Sequence, residues 1–101
     1  MSRAVLIHGG TTVRRAALAG ALRTAEGLDV RVRVSSRAAE AAKCLADPAV
    51  AAVFLVDAPV DGDAVRASAQ ARGLAARTYD LEPRDDAEMI VTLARSACSA
   101  D

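Results

Sequence analysis

Apolar residues gather in four short runs along the chain, and between these runs they recur at every third or fourth position. Two runs, over residues 3–7 and 50–56, are almost uninterrupted, which is typical of strands buried on both faces of a parallel sheet. The run over 28–34 alternates apolar and charged residues, so its four apolar side chains, Val34 among them, are expected to share one face. The run over 74–81 mixes apolar residues with arginine, threonine and aspartate. We therefore predict two central strands and two edge strands.

The segments between the runs show the spacing of helices. In the first segment Leu18 and Leu22 share a sector with three alanines (Ala17, Ala21 and Ala25). Val65 is the only bulky apolar residue of the third segment, which is therefore expected to pack on the sheet mainly through alanines. These patterns predict helices over residues 13–26, 37–46, 61–72 or 63–72, and 86–97.

Short polar side chains precede the predicted helices and can accept hydrogen bonds from their first N–H groups. A threonine in the pair Thr11-Thr12 is expected to cap the first helix. Asp61 or Asp63 is expected to cap the third. Asp85 and Glu88 have the spacing of a capping box before the last.

Strands that alternate with helices in this way must be parallel, and their crossovers right-handed. With the second and fourth strands at the edges, the strand order is 2-1-3-4. The sequence thus predicts one domain over residues 1–101 with a three-layer α/β/α, flavodoxin-like fold. Helices 1 and 4 should cover one face of the sheet, and helices 2 and 3 the other.

The composition narrows the classes of function. Thirteen basic and thirteen acidic residues give a formal net charge of zero, which disfavours a general nucleic-acid or membrane-surface binder. No apolar run reaches the length of a membrane span. Cys44 and Cys98 are far apart and lack the spacing of a metal site, so we expect reduced thiols in a cytoplasmic protein without a cofactor.

The order 2-1-3-4 places a ligand crevice where the first and third strands end. The residues there are His8, Gly9, Gly10 and Thr11 on one side and Asp57 on the other. His8 and Asp57 form either an acid–base pair or a structural polar pair at the loop edge. The glycines either expose N–H groups to an anion or serve only a tight turn.

Two clusters of charged residues, one acidic and one basic, each allow more than one function. Asp57, Asp61 and Asp63 lie within one loop and could hold a divalent cation, although helix capping explains the last two equally well. We predict no metal site here. Arg31 and Arg33 on the polar face of the second strand are either solvated or bind an acidic partner or a second copy of the chain.

Four parts of the chain carry a family resemblance: segments 13–18 with 27–30, 35–41, 52–57 with Pro59, Asp61 and Gly62, and 78–83 with the helix from Asp85. In these parts the chain resembles the receiver domain of bacterial response regulators. The resemblance implies that Asp57, at the end of the third strand, stands at the phospho-acceptor position of two-component signalling.

The chain differs from a receiver in several groups that the phosphorylation chemistry uses. Where a receiver has an acidic pair that helps to hold magnesium, this chain has His8-Gly9, and Glu82 takes the place of the phosphoryl-binding lysine. One strand and one helix of the family also have no counterpart. Because phosphoryl transfer needs positive charge at the acceptor, we expect inefficient phosphorylation of Asp57.

The sequence therefore favours a pseudo-receiver: a signalling module, not an enzyme, that binds a signalling protein or domain without phosphorylation and can also form a homodimer. One alternative is an atypical phospho-acceptor at Asp57. The other is a small anion- or nucleotide-binding protein that uses the His8–Thr11 loop. The crevice residues of all three hypotheses are His8, Gly9, Gly10, Thr11, Asp61 and Glu82, together with Asp57.

Overall fold

A computed structural model of the chain describes residues 3–99. Strands and helices alternate along this range, as the sequence predicts. The elements are β1 (Arg3–Gly9), α1 (Thr12–Thr24), β2 (Val30–Ser35), α2 (Ala38–Leu45), β3 (Val50–Val56), α3 (Gly62–Ala71), β4 (Thr78–Leu81) and α4 (Ala87–Ser99).

The four strands form one parallel sheet in the order β2-β1-β3-β4. This is the predicted order, and the architecture is the α/β, flavodoxin-like one. Residues 4–9 of β1 and all of β3 are buried, whereas β2 and β4 are partly exposed. The uninterrupted apolar runs thus mark the centre of the sheet and the mixed runs its edges.

Two apolar cores lie on opposite faces of the sheet. Successive side chains of a strand point to opposite faces, so Val5 and Ile7 face α1 and α4 while Ala4 and Leu6 face α2 and α3. The predicted distribution of the helices is therefore confirmed. Phe54 stacks on Tyr79 in the first core, with ring centroids 5.4 Å apart.

Several details differ from the prediction at the ends of elements. Residues 75–77 form a 3-10 turn, so the fourth strand has only four residues. Val34 is half-exposed because it lies near the open end of an edge strand. In α1 the buried residues are Leu18, Ala19 and Leu22, and Ala17 faces the solvent.

The caps also differ in part. Thr11 caps α1 as predicted, since its hydroxyl accepts the Arg14 N–H at 3.0 Å. Asp86, and not Asp85, accepts an N–H in the first turn of α4, from Met89. The Asp85 carboxylate instead accepts the Glu82 N–H and closes the turn after β4, so the predicted capping box is wrong.

Candidate functional site

Asp57 directly follows β3 and lies at the edge where the strands end, hereafter the carboxyl edge. Asp57 and Ala58 both have left-handed backbones, with φ values of 57° and 48°. This conformation costs a non-glycine residue roughly 1–2 kcal/mol. The Asp57 N–H donates to the Leu81 carbonyl at 2.8 Å, which ties the turn to the end of β4. Strain of this kind is concentrated at functional sites.

The Asp57 carboxylate faces a cation supplied by the chain itself. Arg14 Nε lies 3.5 Å from Asp57 Oδ2, and both side chains are about four-fifths buried. Arg14 Nη2 also donates to the Glu82 carbonyl at 2.9 Å, so Arg14 bridges the ends of β3 and β4. Arg14 Nε and Asp57 Oδ1 are shielded from solvent and lack a hydrogen-bond partner among residues 3–99.

Sequence reasoning missed Arg14, although a signal was present. The first turn of α1 contains Arg14 and Arg15 and no acidic residue. Cations are unfavourable at a helix N-terminus, where the macrodipole is positive. Two arginines at that end indicate that each has a local acceptor, and each does.

Arg15 shapes the loop on the opposite wall of the crevice. Its guanidinium donates to the carbonyls of Gly9 and Gly10 at 2.9 and 2.6 Å. Gly10 has φ 66°, and a Cβ at this position would lie 3.4 Å from Asp57 Oδ2. The glycines therefore allow a close approach of the two loops. Anion binding by the N–H groups of this loop stays a prediction.

His8 forms a polar chain that does not include Asp57. Its side chain is fully buried, with Nδ1 2.7 Å from Ser35 Oγ and Nε2 2.7 Å from Asp61 Oδ1. The predicted contact between His8 and Asp57 is wrong for a geometric reason. His8 points to the same face of the sheet as Leu6, toward α2 and α3, whereas Arg14 holds Asp57 from α1 on the other face.

With one tautomer of His8 the three side chains satisfy one another's hydrogen-bonding groups. A neutral imidazole donates from Nε2 to the Asp61 carboxylate and accepts the Ser35 hydroxyl at Nδ1. Ser35 is itself buried, so its hydroxyl is not available to a substrate. The hydrogen bonds among His8, Ser35 and Asp61 therefore connect the ends of β1 and β2 to the start of α3.

The remaining predicted residues lie at the rim. Asp61 occupies the N-cap position of α3, but its side chain makes no capping bond because it accepts from His8. Oε2 of Glu82 lies 3.0 Å from Nε of Arg84, so the Glu82 carboxylate points outward and its negative charge does not lie beside Asp57. Asp63 lies in the first turn of α3. Among residues 3–99, no three His, Cys, Asp or Glu side chains are grouped closely enough to hold a metal ion.

The bond from His8 has a consequence for acid stability. It holds the pKa of Asp61 below its usual value. A carboxyl with a lowered pKa in the folded state stabilises the fold above its unfolded-state pKa of about 4. That contribution is lost as the pH falls through the lowered, folded-state pKa.

We accordingly expect Asp61→Asn to lower the melting temperature at pH 6 and to have progressively less effect as the pH falls below about 4. Asparagine retains an oxygen that can accept from His8 and removes only the charge. Thermal unfolding of both proteins between pH 2 and 7 measures this difference. A constant difference across the range would show that the ionisation of Asp61 does not contribute.

Large apolar side chains are exposed around the crevice. Among the residues whose burial the structure describes, four are more than two-fifths exposed: Val13, Val34, Val60 and Met89. Each lies near the end of a strand or in the first turn of the next helix, and so at the carboxyl edge. Val60 lies beside a cavity of about 230 Å³ between α3 and β4, with Leu55 and Pro59 in its lining. These side chains add apolar surface to the side of the fold where the strands end.

None of the helices in residues 3–99 has the length and apolar character needed to cross a membrane. Comparison with protein families, curated proteins and solved structures identified no relative: no family model matches the chain, and no curated protein or solved structure does so significantly.

Proposed function

We propose that this chain is a receiver-like signalling module that binds a partner protein at its carboxyl edge without being phosphorylated. The observation that carries the proposal is the Arg14–Asp57 pair. The chain supplies its own counter-charge to Asp57, whereas a phospho-acceptor normally relies on a bound cation. Arg14 thereby places a fixed positive charge beside this carboxylate.

The surroundings of the pair support a role in binding. Val13 lies in the first turn of α1 and Val60 on the loop between β3 and α3, and their side chains are 79% and 107% exposed. The left-handed backbones of Asp57 and Ala58 set the path of that loop. A rigid, partly apolar surface loses less entropy on binding than a mobile one.

A second candidate, phosphorylation of Asp57, has two observations in its favour. Arg14 provides positive charge beside the carboxylate, and Oδ1 lacks a hydrogen-bond partner among the described residues. Sequence reasoning expected no cation at this position because Glu82 replaces the family's lysine. Arg14 could take the role of that lysine from a different element of the fold.

Amide NMR with magnesium and beryllofluoride, a phosphoryl mimic, separates the two candidates. For a phosphorylation-independent module, the resonances of residues 56–62 should stay unchanged in the wild type and in Asp57→Asn. Shifts in the wild type that disappear in Asp57→Asn would contradict this proposal and favour phosphorylation.

The binding role needs its own comparison. Proteins retained by the immobilised chain should also be retained by Asp57→Asn and by Ala76→Asp, but not by Val60→Asp. Val60 and Ala76 are both exposed, and they lie at opposite ends of the sheet. The two substitutions therefore make the same chemical change at the proposed site and away from it. Equal retention by Val60→Asp and Ala76→Asp would exclude the carboxyl edge as the binding surface.

A further inference from the structure

The outer side of β2 is an open edge of the sheet, and it is a different surface from the Asp57 crevice. Within the described residues, β2 pairs only with β1, in a parallel register from Arg3 with Val30 to His8 with Ser35. In a parallel ladder, alternate residues of an edge strand direct their N–H and C=O groups outward. Such an edge can accept another strand.

Two arginines on this strand are held in place by one carboxylate. Arg31 Nη2 and Arg33 Nη1 both lie 3.2 Å from Asp47 Oδ2. Asp47 is itself fixed, because its other oxygen accepts the Ala49 N–H at 2.9 Å and its carbonyl accepts from Arg72 at 3.1 Å. The two guanidinium groups therefore share a common, rigid anchor.

This anchor leaves positive charge unmatched. One carboxylate faces two guanidinium groups, and each guanidinium has five N–H donors. The side chains of Arg31 and Arg33 are 54% and 40% exposed, so their remaining donors face the solvent. Because the side chains are already ordered, binding a further carboxylate costs less conformational entropy than it would at free surface arginines.

We propose that the β2 edge binds an extended acidic segment of another protein by strand addition, with Arg31 and Arg33 each contacting a carboxylate. Arg31 and Arg33 are two positions apart and share one face, and acidic residues at alternate positions of an added strand would have the same spacing. The inference concerns a different surface from the proposed function and does not depend on it.

The charge of the two arginines determines which kind of strand can add to the β2 edge. A second copy of β2 added to this edge would bring arginines against arginines, which is unfavourable for directly opposed cross-strand pairs. A neutral strand would leave the arginines without new partners. An acidic strand alone satisfies both the backbone edge and the charge.

The test uses a fluorescein-labelled peptide, Gly-Glu-Val-Glu-Val-Glu-Gly, and its analogue with glutamine in place of each glutamate. Anisotropy with the full chain should show binding of the acidic peptide about tenfold tighter than of the analogue, if two exposed ion pairs form. The amide resonances of Val30–Ser35 should shift on binding. Equal affinity for both peptides, or no binding at millimolar peptide, would overturn the proposal.

Variants of the chain test the role of the two arginines. The double variant Arg31→Gln, Arg33→Gln should weaken binding about tenfold. A double variant at exposed arginines elsewhere, Arg23→Gln, Arg84→Gln, is the matched control and should not change the affinity. An equal loss of affinity in the control would show that the effect depends only on the net charge of the protein, and it would refute binding at the β2 edge.

Two further probes separate strand addition from general attraction between opposite charges. An acidic peptide with N-methyl groups at alternate residues keeps its charge but loses backbone donors, and it should bind weakly. Undiminished binding of that peptide would overturn strand addition. A short oligothymidylate that binds as tightly as the acidic peptide would identify a general anion patch and overturn the choice of an acidic protein segment.

Discussion

Gly9→Ala should destabilise the fold by about 2–5 kcal/mol, the sum of a backbone cost of about 1–2 kcal/mol and a steric cost of about 1–3 kcal/mol. Gly9 ends β1 with φ 97°, a conformation that L side chains rarely adopt. An added Cβ would lie only 2.7 Å from the Val56 carbonyl oxygen and 3.0 Å from Pro59 Cβ. Both neighbours belong to the β3 end of the crevice, so the two central strands would have to separate there.

Gly73→Ala is the matched control for this prediction. Gly73 also has a positive φ, of 75°, but an added Cβ would meet no atom within 4 Å. It should therefore cost only about 1–2 kcal/mol, the backbone term alone. Urea unfolding of the three proteins measures both values. Equal losses in Gly9→Ala and Gly73→Ala would mean that the crevice can open without cost, contrary to the tight packing around Gly9.

The order of the strands could be predicted because it depends only on burial. Strands buried on both faces are almost uninterrupted apolar runs, and strands at the edge carry charge on one face. The contrast between residues 50–56 and residues 28–34 was sufficient to place β3 in the centre and β2 at the margin. The helices then followed from the right-handed crossover rule.

The partners within the crevice could not be predicted in the same way. The ends of β1 and β3 were known to be neighbours, which placed His8 near Asp57 but left the direction of each side chain open. Strand alternation turns His8 toward α3, and the left-handed turn at Asp57 turns that carboxylate toward Arg14 on α1. A shift of one residue, or a single positive φ, reverses such a contact while leaving the topology unchanged.

The two polar groupings of the site lie on opposite faces of the sheet and serve different elements. Arg14 connects α1 to the end of β3 through the Asp57 carboxylate and to the end of β4 through the Glu82 carbonyl. His8 connects β2 to α3. The carboxyl edge is thus held from both faces, which explains how the loop between β3 and α3 keeps its strained backbone and how Val60 is presented outward.

His8→Leu should destabilise the fold by about 2–4 kcal/mol, even though leucine fits an apolar environment and has a similar size. The substitution removes the hydrogen bonds to Ser35 and Asp61, both 2.7 Å long. Asp61 is partly exposed and can bind water, but the Ser35 hydroxyl is buried and would lose its partner. An unpaired buried polar group costs about 1–3 kcal/mol, more than the net value of the bond it once made.

A double-mutant cycle tests this explanation directly. Ser35→Ala alone should cost about 1–3 kcal/mol, because it leaves Nδ1 of the buried His8 unpaired. In the His8→Leu background it should be neutral or stabilising, because it removes the unpaired hydroxyl. Ser96→Ala, at an exposed position of α4, is the control and should recover nothing in that background. Chemical denaturation of the wild type, the single variants and the two double variants gives the coupling free energy. Additive effects of His8→Leu and Ser35→Ala would show that the buried hydroxyl finds another partner, and that the cost of losing His8 has its origin in packing or in the bond to Asp61.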